Sequence, residues 1–241
     1  MNLVVDIGNT VLKAALAEET VLGKTFRYQG ENPVGFVVSL VKKHYPECVV
    51  VCSARTLDSD ETASLEACCQ KFILIDPDHH TLSRKASIPE YVTPASVASI
   101  IAARHLFKGK GCSIFDFGTM LSTAFLDSAG NYLGGNISPG CTTRFRSISR
   151  YARNLPLLAE REEDAATSLG HSLDSSIRAG VVSGIMFEVD GYLSIFPENI
   201  AVFTGGDAIY FAKRMKKATF VVCNLVMTGL ALIAVQCEKA V

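Results

Sequence analysis

The sequence lacks several features that mark specialised classes of protein. It has no run of five or more basic residues and its formal net charge is −1, so neither nucleic acid nor an acidic membrane surface is indicated as a partner. Asp6 interrupts the first apolar run, and no basic segment precedes that run as it would in a secretory leader. These absences predict a cytoplasmic protein that binds neither nucleic acid nor membrane.

The chain also lacks the cysteine and histidine patterns of metal-binding proteins. None of its eight cysteines forms a Cys-x-x-Cys pair, and the five histidines do not cluster at ligand spacing. Most of the cysteines lie inside apolar runs, which is typical of buried, reduced thiols.

One stretch without charged residues, 219–237, is long enough to be considered as a transmembrane helix. It divides into TFVVCN, which is typical of a buried strand, and LVMTGLALIAVQC, which is typical of a buried helix. Asn224 and Gly229 interrupt it. We therefore predict a strand, a turn and a helix here.

The chain instead contains one short pattern twice. An apolar run ends at Asp-x-Gly in MNLVVDIGNTVLK and again in GCSIFDFGTMLS, with Asp6 and Asp116 at equivalent points. Each copy begins a series of three strand-like segments, which alternating helices and strands follow. The sequence thus predicts an internally duplicated α/β fold, with domains 1–107 and 108–241 forming two lobes around a cleft.

The local patterns give provisional element boundaries. Asp58 and Glu61 form a capping pair for a helix through Gln70, and NYLGGNIS is predicted to form the third strand of the second meander. Further helices are predicted over these ranges: 33–45, 95–107, 142–153, 173–194, 208–216 and 225–239.

The two acidic turns suit a phosphate. The small residues after each aspartate let backbone N–H groups approach phosphate oxygens, and the carboxylates are suited to holding a cation. A single Asp-x-Gly is also ordinary hairpin chemistry. Two copies, with a third glycine-rich strand end at Thr204-Gly205-Gly206-Asp207, favour a nucleotide.

DIGNT, DFGT and TGGDA resemble the two phosphate motifs and the adenosine motif of the acetate and sugar kinase/Hsp70/actin superfamily. Within it, GNYLGGNISPG followed by a helix and NLPL resembles the type III pantothenate kinases. The resemblance implies an actin-like/ribonuclease H-like fold with a nucleotide cleft. It also implies ATP-dependent phosphorylation of pantothenate, the first step of coenzyme A biosynthesis, with Mg²⁺, a monovalent cation (K⁺ or NH4⁺) and a homodimer whose interface carries the substrate site.

The resemblance assigns roles to individual residues. It places Asp6 near Mg²⁺, Asp116 on the monovalent cation and Thr119 on ATP, with Gly205 and Gly206 beside the adenosine. Tyr91 would contact pantothenate. The ATP phosphates would lie on a continuous segment of eight residues: Asp6, Ile7, Gly8, Asn9, Thr10, Val11, Leu12 and Lys13.

The substrate side departs from the family pattern. The family carries a Gly-x-Asp-Arg motif whose Asp is the general base, whereas this chain reads YVTPASVASIIAARHLF, which we interpret as a deletion through the motif. Ser122 and Ala124 stand where the second phosphate motif continues through Thr to Asp. Leu173 stands at the family's substrate Thr, and the adjacent Ser172 is a candidate replacement. No catalytic residue is therefore identified; the residues weighed as replacements are Glu90, Arg104, His105 and Asp127.

Three hypotheses remain open from the sequence. The first is an active pantothenate kinase with a rearranged substrate site. The second is a family member that keeps the fold and nucleotide binding but acts as a binding or regulatory subunit. The third is a kinase for another small alcohol.

Overall fold

A computed structural model describes residues 1–158 and 169–238 of the chain. The chain forms two compact units, one of Met1–Lys108 with Asn224–Val241 and one of Gly109–Cys223. The units differ from the predicted domains 1–107 and 108–241 chiefly in the last segment, which packs with the first unit.

The first unit contains a five-stranded sheet in the order β3-β2-β1-β4-β5. Its strands are β1 (Asn2–Ile7), β2 (Leu12–Glu18), β3 (Val21–Tyr28), β4 (Val49–Ser53) and β5 (Phe72–Ile75). The first three form an antiparallel meander, and β4 and β5 run parallel to β1. Every residue of β4 is buried, as its continuous apolar sequence predicts for a strand covered on both faces.

The helices of residues 1–108 lie between or after the last three of these strands. They are α1 (Pro33–His44), α2 (Ser59–Glu66), α3 (Thr81–Lys85) and α4 (Pro94–Leu106). The predicted capping box of Asp58 and Glu61 is present at the start of α2. The helix ends at Glu66 and not at Gln70, because the Cys68 N–H donates to the Leu65 carbonyl oxygen (3.3 Å) and tightens the chain. The short α3 was not predicted.

The second unit repeats the plan of the first. Its strands are β6 (Cys112–Phe117), β7 (Met120–Leu126), β8 (Tyr132–Gly134), β9 (Ile137–Pro139), β10 (Ile200–Gly205) and β11 (Thr219–Val221). The order β11-β10-β6-β7-β8 mirrors the first sheet, with antiparallel pairing on one side of β6 and parallel pairing on the other. The predicted duplication of an α/β fold is confirmed.

The predicted third strand of this meander is divided into β8 and β9, which both pair with β7. Gly134 is the last residue of β8 and has φ +145°, and a Cβ on Gly135 would be 2.1 Å from the Thr123 carbonyl oxygen. The Asn136 N–H donates to the Thr123 hydroxyl (2.9 Å) in place of a regular ladder bond. Glycine conformation and a side-chain hydrogen bond therefore break the strand.

The remaining helices are α5 (Cys141–Tyr151), α6 (Leu173–Ile195), α7 (Ala208–Ala212) and α8 (Leu225–Glu238). Helix α7 is shorter than the predicted 208–216, and the predicted last residue of α8, 239, lies outside the described residues. Among the described residues, no helix is long and apolar enough to cross a membrane.

Helix α8 belongs to the core of the first unit. Val226, Leu230 and Ile233 pack in one cluster with Val4 and Val50 of the sheet. The helix also lies tightly against α4: a Cβ on Gly229 would be 2.0 Å from the Ala98 carbonyl oxygen. Glycine permits this approach because it has no side chain.

Candidate functional site

The first acidic turn joins β1 to β2 in the first unit. The Gly8 N–H donates to the Val11 carbonyl oxygen (3.2 Å), and Gly8, Asn9 and Thr10 are exposed. Asp6 lies half-buried near the end of β1, directly opposite Lys13 of β2. The turn therefore presents small, polar residues to solvent beside a strand-end carboxylate, an arrangement suited to a phosphate and a cation.

A cavity of about 320 Å³ opens over this turn. Six of the eight residues predicted to bind the ATP phosphates line it, from Ile7 to Leu12, whereas Asp6 and Lys13 do not. The lining also includes Tyr28, Gln29 and Arg55, which the sequence analysis did not identify. A polar residue within two positions of the end of a buried parallel strand is a usable signal for Arg55, because the carboxyl ends of parallel strands carry ligand sites.

Two carboxylates, those of Asp6 and Asp76, lie near the Cys52 thiol in the first sheet. Burial, and then the negative charges of Asp6 and Asp76, raise the pKa of the Cys52 thiol well above its ordinary value. Cys52 therefore stays a neutral thiol and is not a nucleophile. Asp76 follows β5 and accepts hydrogen bonds from the His79 ring and from the backbone N–H groups of Leu57, Asp78 and His79.

The second acidic turn and the glycine turn meet in the second unit. Asp116 of β6 lies directly opposite Thr204 of the parallel strand β10. Gly205 has φ +93°, and a Cβ on it would be 2.4 Å from the Asp116 Oδ1 and 2.6 Å from the Phe117 carbonyl oxygen. Gly205, the first glycine of the motif TGGDA, therefore packs directly against Asp116, the predicted ligand of the monovalent cation.

Thr119 lies at the tip of this turn and its side chain is exposed. Its carbonyl oxygen accepts hydrogen bonds from the Gly140 N–H (3.0 Å) and the Thr143 hydroxyl (2.6 Å), which tie the turn to the start of α5. Gly206 is exposed, and a Cβ there would have open space within 4 Å. The structure therefore brings Asp116, Thr119 and Gly205 into one region and leaves Gly206 accessible.

The two predicted substrate residues have different surroundings. Tyr91 precedes α4 in the first unit and is 75 % exposed. Ser172 is the N-cap of α6 in the second unit: its hydroxyl oxygen accepts from the Ser175 N–H (3.2 Å) within a capping box. Capping explains a serine at this position without a ligand.

Among the residues that the structure describes, no group of three or more His, Cys, Asp or Glu side chains is arranged to hold a metal ion. A cation at either turn would therefore complete its shell with backbone oxygens, water or ligand phosphates, as Mg²⁺ in phosphate sites usually does. The carboxylates of Asp6 and Asp116 are suitable hard ligands in such a shell.

Comparison with known proteins assigns the family. A family model described as type III pantothenate kinase matches residues 2–194. A type III pantothenate kinase of Phocaeicola vulgatus is 32 % identical over 238 residues, which cover 95 % of this chain and 96 % of the relative. This chain belongs to the type III pantothenate kinase family.

Solved structures agree on the fold. The activator of 2-hydroxyisocaproyl-CoA dehydratase from Clostridium difficile, solved with ADPNP, aligns at a TM-score of 0.59 and 15 % identity, covering 100 % of this chain and 97 % of that one. The ROK hexokinase from Thermus thermophilus aligns at 0.55 and 11 % identity, covering 95 % and 96 %. The predicted actin-like and sugar kinase-like fold is confirmed.

Helix α4 occupies the segment where the family's Gly-x-Asp-Arg motif is expected. It is an unbroken helix whose sequence, PASVASIIAARHL, contains no acidic residue. Ala98, Ile100 and Ala102 are fully buried. The segment therefore serves as an apolar support of the first unit, and it supplies no carboxylate for proton transfer.

Three of the replacement residues that the sequence suggested, Glu90, Arg104 and Asp127, make local hydrogen bonds. Glu90 pairs with Arg84 (Oε1 to Nε, 2.5 Å), and this hydrogen bond lowers the pKa of Glu90. Hydrogen bonds from the Asn131 side chain and N–H lower the pKa of Asp127. Arg104 donates to the Ala86 carbonyl oxygen (2.6 Å), and His105 is exposed. A carboxylate with a lowered pKa is a weaker base, so neither acid is tuned for this role.

Proposed function

We propose that this protein binds ATP with Mg²⁺ and transfers the terminal phosphoryl group to pantothenate, at a rate reduced by the loss of the family's general base. The observation that supports this proposal most is the repetition of acidic phosphate turns at equivalent strand ends of the two sheets, with Gly205 packed on Asp116. Phosphoryl transfer relies mainly on positioning and charge neutralisation, so the ATP side carries most of the catalytic machinery.

Within this proposal, backbone N–H groups of the turn that follows Gly8 hold phosphate oxygens, and Asp6 holds Mg²⁺ directly or through water. Asp116 binds K⁺ or NH4⁺, and Gly205 and Gly206 lie beside the adenosine. Tyr91 contacts pantothenate. Mg²⁺ supplies charge neutralisation between the phosphates when it is bound.

A second candidate function is nucleotide binding without catalysis. The apolar, fully helical α4 favours it, because the segment lacks the carboxylate that would accept the proton of the pantothenate hydroxyl. A regulatory or structural subunit would keep the phosphate turns and lose this one group.

A coupled assay with pantothenate, ATP, Mg²⁺ and K⁺ distinguishes the two candidates, with an intact type III enzyme as the reference. We expect phosphopantothenate to form about 10²–10⁴-fold more slowly than in the reference, the range for loss of a general base. The variant Asp6→Asn should abolish this residual product. Absence of product from a protein that still binds ATP in calorimetry would establish the second candidate instead.

We also propose a cytoplasmic homodimer. Leu173, Phe187 and Ile195 are exposed and fall on one side of α6 at helical spacing, which supports an interface there. Light scattering should report about twice the mass of one chain. A monomer at micromolar concentration would refute the dimer without affecting the nucleotide proposal.

A further inference from the structure

Arg55 stands at the mouth of the first phosphate turn. Strand β4 runs parallel to β1, and the Ala54 N–H donates to the Ile7 carbonyl oxygen (2.9 Å), so the chain leaves β4 beside Gly8. Among the described residues that line the 320 Å³ cavity, Arg55 is the one with a cationic side chain. A positive charge there faces the same space as the exposed turn.

The backbone at Arg55 is fixed by a buried hydroxyl. Ser53 is fully buried, and its Oγ donates to the Arg55 carbonyl oxygen (2.6 Å) and accepts from the Arg55 N–H (3.3 Å). This pair of bonds closes a tight turn directly after the strand. The guanidinium is therefore carried by a well-defined stretch of chain.

Glu61 holds the end of the guanidinium. Its two carboxylate oxygens accept from the Arg55 Nη1 (2.7 Å) and Nη2 (2.5 Å), and Nη1 also donates to the Thr56 carbonyl oxygen (3.2 Å). Glu61 is itself positioned, because its Oε2 accepts from the Asp58 N–H (3.1 Å) in the capping box of α2. The capping box of a helix thereby orients the arginine.

Two N–H groups of the Arg55 guanidinium remain available to a ligand. A guanidinium has five N–H groups, and three of those of Arg55 are occupied by Glu61 and Thr56. The Nε–H and the second Nη2–H have no partner in the described part of the chain. They lie on one edge and point the same way, which is the fork that binds a carboxylate or phosphate through two parallel hydrogen bonds.

We propose that Arg55 is an oxyanion-binding residue of this cavity, which uses its Nε and Nη2 edge to bind a pair of anionic oxygens while Glu61 holds the adjoining edge formed by Nη1 and Nη2. The proposal rests on the function proposed above, in which two such groups enter: the terminal phosphate of ATP and the carboxylate of pantothenate. The shared chemistry is bidentate oxyanion recognition, and the experiment separates the two sources.

The test is calorimetric binding of three probes: Mg-ATP, inorganic tripolyphosphate and pantothenate. We expect Arg55→Gln to weaken one class of probe about 10- to 100-fold, the range for a charge-assisted hydrogen-bonded pair. Weaker ATP and tripolyphosphate binding assigns the fork to phosphate, and weaker pantothenate binding assigns it to the carboxylate. Arg55→Lys should recover only part of the affinity, because an ammonium keeps the charge but not the fork.

Arg84→Gln is the matched control, since it removes an arginine of another exposed ion pair of the first unit that does not line the cavity. A thermal melt of each variant checks that it is folded. Equal affinity of wild type and Arg55→Gln for all three probes, or full recovery in Arg55→Lys, would overturn the proposal. Failure of the kinase assay leaves this test intact, because tripolyphosphate binding requires no turnover. A wild type that binds none of the probes would overturn both proposals.

Discussion

The contact between Gly205 and Asp116 leads to a sharp prediction. The variant Gly205→Ala would place a methyl group 2.4 Å from the Asp116 Oδ1 and 2.6 Å from the Phe117 carbonyl oxygen. The second contact is with the backbone of the neighbouring strand, so it cannot be relieved by rotating a side chain. The residue would also keep φ +93°, which disfavours alanine.

The expected loss of stability in Gly205→Ala combines the backbone strain at φ +93° with the close contacts of the added methyl group. Alanine in the left-handed region costs about 1–2 kcal/mol, and overpacking against a rigid neighbour costs about 1–3 kcal/mol. We therefore expect a loss of about 3 kcal/mol in the free energy of unfolding. For a chain of this length, that corresponds to a fall of roughly 6–12 °C in Tm.

Thermal unfolding followed by circular dichroism measures this effect, and Gly206→Ala is the matched control. Gly206 is the next residue, is exposed and has open space where a Cβ would lie, so its variant should melt within about 1 °C of the wild type. If both variants melt at the same temperature, the close contact between Gly205 and Asp116 does not contribute to the stability of the second unit.

Two further predictions concern the first unit and pH. Gly229→Ala should lower Tm by several degrees, because its Cβ would lie 2.0 Å from the Ala98 carbonyl oxygen. The control Gly191→Ala, at an open position of α6, should raise Tm slightly. If differential scanning calorimetry gave similar changes in Tm for the two variants, the close packing of α8 on α4 would be contradicted. Burial alone would raise the pKa of Asp76, but hydrogen bonds from His79 and backbone N–H groups outweigh it and lower the pKa. The stability that ionised Asp76 contributes is therefore fully present above the ordinary Asp pKa and is lost as pH falls through the lowered pKa. The difference in Tm between wild type and Asp76→Asn should therefore shrink as pH falls from 6 to 3. A difference that stays constant would refute this role of the Asp76 carboxylate.

The sequence predicted the elements whose causes are local. Helix α1 begins at a proline and α2 at a capping box, and both helices begin where the sequence predicts. Where an observed helix or strand boundary differs from the predicted one, the boundary depends on tertiary contacts that no local sequence pattern encodes. Gly135 approaches Thr123 so closely that the third strand of the second meander divides, and that approach depends on the register of β7.

Part of the candidate site could likewise be predicted from local sequence, and part could not. The turn at Gly8 to Val11 and the pair of Asp116 and Gly205 are visible as motifs, because Asp-x-Gly follows an apolar run twice and a glycine-rich strand end accompanies the two copies. Arg55 was not predicted, because its relevance depends on the parallel pairing of β4 with β1 and on a partner, Glu61, whose local sequence indicates only a helix cap. Pairing across a sheet is settled by tertiary structure.

Helix α8 has a consequence for the order in which the protein is made. Its side chains complete the core that begins with Val4, so more than 200 residues of sequence separate partners in a single cluster. As the ribosome synthesises the chain from its first residue, the second unit has all its parts by Cys223, while the first unit still lacks α8. The unit that emerges first is therefore completed after the second unit, and the sheet that carries the turn at Gly8 stays partly uncovered until α8 has been synthesised.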